Sequence, residues 1–123
     1  MRVMKVLGLT LDGTTNAPIL VLQQEDGDEV LPIWLGAAEA MAISMALNDL
    51  SPDRPLTHPL LIEIMTALGA RVSGVTITDL RDGTFYALLD LQRGSETIQL
   101  DCRPSDGIIL ALLGLGFFVF GGF

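Results

Sequence analysis

Residues 70–103 carry three apolar-alternating runs joined by turns too short to hold a crossover. The runs are 70–80, 84–92 and 96–103, and the turns are Arg81-Asp82-Gly83 and Gly94-Ser95. Strands joined by such tight turns must be antiparallel neighbours, because a parallel pair needs a connection of a dozen residues or more. A register follows if Gly94-Ser95 is the loop. Arg93 then pairs with Glu96, and Leu91, Leu89 and Ala87 face Ile98, Leu100 and Cys102. The other face pairs Asp90 with Gln99, Leu88 with Asp101, and Tyr86 with Arg103. The aliphatic partners gather on one side, as a half-buried sheet requires. Asp101 and Arg103 are left on the other side, beside a helix opened by Pro104.

The flanking segments complete the pattern. Residues 2–11, 18–24 and 30–35 read as strands, with Asp12 to Asn16 and the acidic Asp-Gly segment 25–29 as turns. Pro32 pushes the third strand toward an edge or a bulge. Residues 36–48 are rich in Ala and Met and read as an apolar helix buried on most sides, with Glu39 as the only charge before its end. A second helix starts at Thr57 or His58, takes Pro59 in its first turn, and stops at Gly69. Its core stripe is Leu60, Leu61, Ile64, Met65 and Leu68. A third helix covers roughly 105–113, and 116–120 is a last strand. The order βββ-α-α-βββ-α-β, about seven strands and three helices with a mixed or antiparallel sheet, defines a single α+β domain.

The chain has 123 residues, half of them hydrophobic, 18% charged, with a net charge of -8. That is enough apolar material for one core and excludes general disorder. The acidic balance argues against holding nucleic acid by a bulk basic field. It leaves room for a nuclease whose positive charge is supplied locally by a divalent cation bound by carboxylates. Cys102 is the only cysteine, so an internal disulfide and a cysteine zinc site are excluded, and a reducing cytoplasm is the expected compartment. The first eleven residues lack the order of a signal peptide. Residues 107–123 carry no charge, which approaches the length of a membrane span. Their five glycines and helix-then-strand pattern read instead as a buried helix followed by a buried strand, with no membrane contact.

Walker and dinucleotide loops, HExxH and GxSxG are absent. Three polar islands remain. Glu39 fits a general base or metal ligand; a carboxylate stabilised in a helix's first turn is the structural alternative. Arg54-Pro55-Leu56-Thr57-His58 fits a phosphate-contacting arginine with a histidine for proton transfer, or a helix cap with a rigid lead-in. Asp101-Cys102-Arg103-Pro104-Ser105-Asp106 fits Asp101 or Asp106 on a divalent metal with Arg103 on phosphate, or an Arg–Asp pair with Ser/Asp capping. Cys102 lies in the apolar alternation and reads as a core thiol.

Four of these segments together resemble the bifunctional nuclease domain family: LPIWLGAAEAMAI at 31–43, RPLTH at 54–58, TFYALLDL at 84–91 and RPSDGIILAL at 103–112. The resemblance runs from about Val6 to Phe120. It implies an α+β fold, a tendency to oligomerise, and action on RNA and DNA as described for plant members. Departures are Pro59 where an Asp commonly follows the histidine, Gly107 in place of Ala, and Cys102 where Ala is frequent.

The leading expectation is a nuclease assisted by Mg²⁺ or Mn²⁺. Asp101 and Asp106, with Glu39, would hold the metal, Arg54 and Arg103 the phosphate, and His58 would move a proton. Rival readings are a non-enzymatic oligomeric interaction or regulatory module, and a small-anion binder at the helix N-termini near Thr57 and Ser105. A homodimer or higher homo-oligomer is expected, with Phe118 or Phe120 in the interface, because four consecutive apolar residues make both faces of the last strand apolar and its edge needs cover.

Overall fold

The computed structural model describes residues 2–48 and 56–114, and the backbone of residues 117–120. Its elements are β1 (Arg2–Leu11), β2 (Pro18–Gln24), β3 (Val30–Trp34), α1 (Ala37–Leu47), α2 (Thr57–Ala67), β4 (Ala70–Arg81), β5 (Thr84–Arg93), β6 (Glu96–Cys102), α3 (Pro104–Leu113) and β7 (Phe117–Phe120). The α+β class is as the sequence implies. Two antiparallel meanders, β1-β2-β3 and β4-β5-β6, are joined by β7 into one sheet of order β3-β2-β1-β7-β4-β5-β6. β7 runs antiparallel to β1 and parallel to β4.

The turn chemistry sets the second meander. Asp82 and Gly83 both take positive φ (50° and 78°), the conformation a two-residue primed turn needs. Gly94 takes φ 61°, and Arg93 pairs with Glu96. The β5–β6 register follows the expected pairs from Leu91↔Ile98 to Ala87↔Cys102. It ends one residue short of the expected Tyr86–Arg103 pair. Pro104 starts α3, and Arg103 leaves the strand to become its extended N-cap (φ -70°, ψ 143°). Tyr86 pairs with Asp79 of β4 and lies under the Arg81 guanidinium, 4.5 Å from its ring centre.

The core sits between the sheet and α3. Val75, Ile77, Ala87 and Leu89 of β4 and β5 meet Ile108, Ile109 and Ala111 of α3, all buried. α1 and α2 pack on other sides of α3. α3 is thus the helix enclosed all round, not α1, in which Ile43 is the buried residue and Met41 is 64% exposed. α2 also departs from its expected stripe. Ile62 and Met65 pack against the core, while Leu60, Leu61, Ile64 and Leu68 are exposed. Periodicity marks an apolar face, but it does not say that the same chain supplies the cover.

Gly107 marks the closest approach of α3 to the sheet. A Cβ there would lie 2.5 Å from Val75 Cγ2 and 2.9 Å from Cys102 Sγ. The departure from Ala at this position therefore matches the local packing. The last strand corrects the expectation of an exposed edge: β7 is hydrogen-bonded on both sides, to β1 and β4. The side chains of Phe118 and Phe120 lie outside the described residues. Among the described residues no helix is long and apolar enough to cross a membrane.

Candidate functional site

The polar islands meet where α1, α2 and α3 begin. Glu39 lies in the first turn of α1, His58 in the first turn of α2, and Asp106 in the first turn of α3, with Arg103 as the N-cap of α3. Asp106 is the hinge of the cluster. Its Oδ1 is 2.9 Å from His58 Nε2, and its Oδ2 accepts from Arg103 Nε at 2.9 Å. Arg103 Nη1 donates in turn to Glu39 Oε1 at 3.1 Å. The result is one chain of contacts, His58–Asp106–Arg103–Glu39, across three helix N-termini.

Local structure explains the placement. Each of these helices begins on a residue with extended backbone and no side-chain cap bond, so the first-turn side chains are not spent on capping. The expected capping role of Ser105 and Asp106 is therefore replaced. Ser105 is buried, and Asp106 gives both oxygens to side chains. Gly36 gives Glu39 room, since a Cβ at 36 would lie 2.7 Å from Glu39 Oε2. Arg103 fixes the ends of the two edge strands, because α1 follows β3 and Arg103 follows β6.

The electrostatics follow from burial and pairing. Burial alone would raise the Asp106 carboxyl. The hydrogen bonds and charges of Arg103 and His58 outweigh it and hold the group below its ordinary 3.8. The Arg103 guanidinium is raised above its ordinary value, chiefly by its bond to Asp106. His58 is mostly enclosed, its side chain 18% exposed, whereas that of Arg103 is 64% exposed. Two of Arg103's five N–H donors are used in these contacts, so the guanidinium keeps capacity for an outside anion. Because a carboxylate only accepts, Nε2–H is the donor to Asp106, and in the neutral imidazole the lone pair is then on Nδ1.

Glu39, His58, Arg103 and Asp106 are thus brought together. Asp101 is not part of this chain: it is exposed on β6, opposite Leu88. Arg54 lies outside the described residues. The donors do not fit the expected Mg²⁺ or Mn²⁺ on Asp101 and Asp106, since both oxygens of Asp106 are engaged by His58 and Arg103. Among the described residues, no group of three or more His, Cys, Asp and Glu side chains converges as a metal site. Sequence reasoning passed over Trp34 and Phe85, which line the cleft beside Glu39 and Arg103. Their strand positions alternate with core residues and carry no chemical signal of their own.

The family model described as the bifunctional nuclease domain matches residues 20–115. An uncharacterised protein of Mycobacterium tuberculosis is 42% identical over 108 residues, which cover 88% of this chain and 64% of the relative. Bifunctional nuclease 1 of Oryza sativa subsp. japonica is 33% identical over 96 residues, covering 75% of this chain and 29% of the plant protein. Bifunctional nuclease 1 of Arabidopsis thaliana is 29% identical over 99 residues, covering 77% and 30%. The chain therefore spans less than two thirds of the mycobacterial relative's length and under one third of that of the plant proteins.

Proposed function

The chain belongs to the bifunctional nuclease domain family, and on that premise we propose that the His58–Asp106–Arg103–Glu39 cluster binds and hydrolyses phosphodiesters of RNA or DNA. The observation that carries this reading is the 2.9 Å contact between His58 Nε2 and an Asp106 whose other oxygen holds Arg103. A carboxylate that fixes a histidine and an arginine together couples a proton acceptor to a phosphate-binding group.

The geometry supports the following roles. Arg103 takes a non-bridging phosphate oxygen and stabilises the charge that builds on phosphorus. Asp106 fixes the His58 tautomer and supports the imidazolium that forms. His58 Nδ1 removes a proton from the attacking hydroxyl, of water or of a ribose. The new P–O bond forms, the bond to the leaving oxygen breaks, and the imidazolium returns the proton to that oxygen. Glu39 positions Arg103. Arg54, if it acts, adds a second phosphate contact.

The test is cleavage of labelled RNA and DNA by purified protein, with and without EDTA. His58→Ala, Arg103→Ala and Asp106→Asn should each lower turnover about 10²-fold or more. Cleavage that survives all three substitutions belongs to a contaminant and rejects the reading.

A second reading, an oligomeric interaction module, is favoured by the α2 face. Leu60, Leu61, Ile64 and Leu68 are exposed together there. Under it, a second copy of the chain covers this face. Sedimentation at micromolar concentration decides the point: Ile64→Glu should shift the protein to monomer, and a wild-type chain that is already monomeric rejects it.

A further inference from the structure

The Arg103–Glu39 ion pair is the wall between two clefts. One, of about 470 Å³, is lined by Trp34 and Leu35 at the end of β3, by Thr84 and Phe85 of β5, and by Glu39 and Arg103. The other, of about 620 Å³, is lined by Met41, Leu56 and Leu61 together with His58, Asp106 and the same Glu39 and Arg103. Both clefts are large enough for a small organic group, and most of their walls are apolar. Arg103 belongs to both and stands between them. A ligand that fills this space has one anionic centre with a bulky, flat or apolar group on each side.

Trp34 gives the first cleft a defined platform. Its side chain sits at the cleft wall, 56% exposed overall. The indole Nε1 donates to Asp12 Oδ2 at 3.1 Å, and Asp12 is itself held by the N–H groups of Thr14 and Thr15. The ring is thus tied to the β1–β2 turn before any ligand arrives. A preset exposed aromatic ring next to an arginine is the arrangement on which an unpaired nucleobase stacks.

We propose that the two clefts take one dinucleotide step of a single strand, with its phosphate on Arg103 and one base stacked on Trp34. This rests on the phosphodiester reading above and adds the substrate class. A duplex keeps its bases stacked inside and cannot place them on either side of one phosphate. The chain's net charge of -8 repels a long polyanion, so affinity must come from the bases and a single phosphate contact. The salt dependence is therefore shallow, with a slope of log K against log salt of about -0.7, the value for one phosphate on a single strand.

Trp34 is the only tryptophan, so its emission reports this cleft alone. The full chain is titrated with the dinucleotides ApA and dTpdT, with the mononucleotide AMP, with inorganic phosphate and with a blunt 12-base-pair duplex. Saturable quenching by the dinucleotides, absent with phosphate and duplex and lost in Arg103→Ala, is the expected result. Quenching that is as strong with phosphate or duplex overturns the proposal. In cleavage of a single-stranded 20-mer, Trp34→Leu should raise KM about 10- to 100-fold, with kcat changed less than about twofold. Trp34→Phe should restore most of the loss, and thermal melting of each variant separates this from misfolding. An unchanged KM in Trp34→Leu also overturns it. Dinucleotide quenching without any cleavage would sink the hydrolytic reading and leave the binding proposal standing; cleavage with a silent Trp34 would do the reverse.

Discussion

His58 and Asp106 are 48 positions apart in sequence, yet Nε2 of one lies 2.9 Å from Oδ1 of the other. The contact joins the first turn of α2 to the first turn of α3. If the two residues act as one unit, their effects on catalysis must not add. Asp106→Asn and His58→Ala should each reduce kcat about 10²-fold, and the double variant should be little worse than either alone. Steady-state kinetics of the four proteins measure this. Losses that multiply would mean separate roles.

The Asp106 carboxyl is held below 3.8, since the bonds from Arg103 and His58 outweigh burial. A depressed native value means that this group's contribution to stability is complete above the unfolded value. It is lost as pH falls through the native one. Thermal melts should therefore show the full Asp106 contribution, with no pH dependence from it, near neutral pH and a falling midpoint below pH 3.8. Asp106→Asn should flatten that acid limb. An acid limb identical in both proteins would contradict the pairing.

Gly107 has no room for a side chain, with Val75 Cγ2 2.5 Å from where a Cβ would stand. Gly107→Ala gains about 1 kcal/mol of helix propensity but overpacks the core at a cost of about 1–3 kcal/mol. A net loss in denaturant unfolding is expected. Val75→Ala added to it should recover part of the loss, because it opens the blocked space. A Gly107→Ala protein more stable than wild type would show that α3 can shift without penalty.

Burial, with the charges of Asp101, Asp106 and Asp90, pushes the Cys102 thiol up to about 11. Its thiolate fraction at pH 8 should then be more than about a hundredfold below that of an unfolded cysteine. Ellman's reagent should react slowly with the native chain and quickly in urea. Equal rates in the two conditions would disprove the assignment of Cys102 as an inert core thiol.

The parts of this fold that sequence reveals are those fixed by short-range geometry. Gly94-Ser95 sets the β5–β6 register because a two-residue loop leaves little choice, and Pro104 marks the start of α3. The stripe on α2 misleads, since Leu60 and Ile64 share the spacing of core residues and lie on the solvent side. The site is legible only as residue types. Glu39, His58, Arg103 and Asp106 each stand out in an apolar sequence, but their meeting depends on how three helices pack. Asp101 shows the limit: being near Arg103 in sequence did not place it in the cluster, because the proline turned Arg103 out of the strand.

β7 has a consequence for the order of assembly. Strands β1 and β4 are neighbours only through residues 117–120, which follow both meanders in sequence. The two meanders can each form from local contacts, but the sheet stays split until β7 pairs with both. Closing it pairs Met4 with Phe118 across nearly the whole chain, a contact of very high sequence separation. Until β7 pairs, the facing edges of β1 and β4 each present unpaired backbone N–H and C=O groups, the kind of edge on which other chains can add.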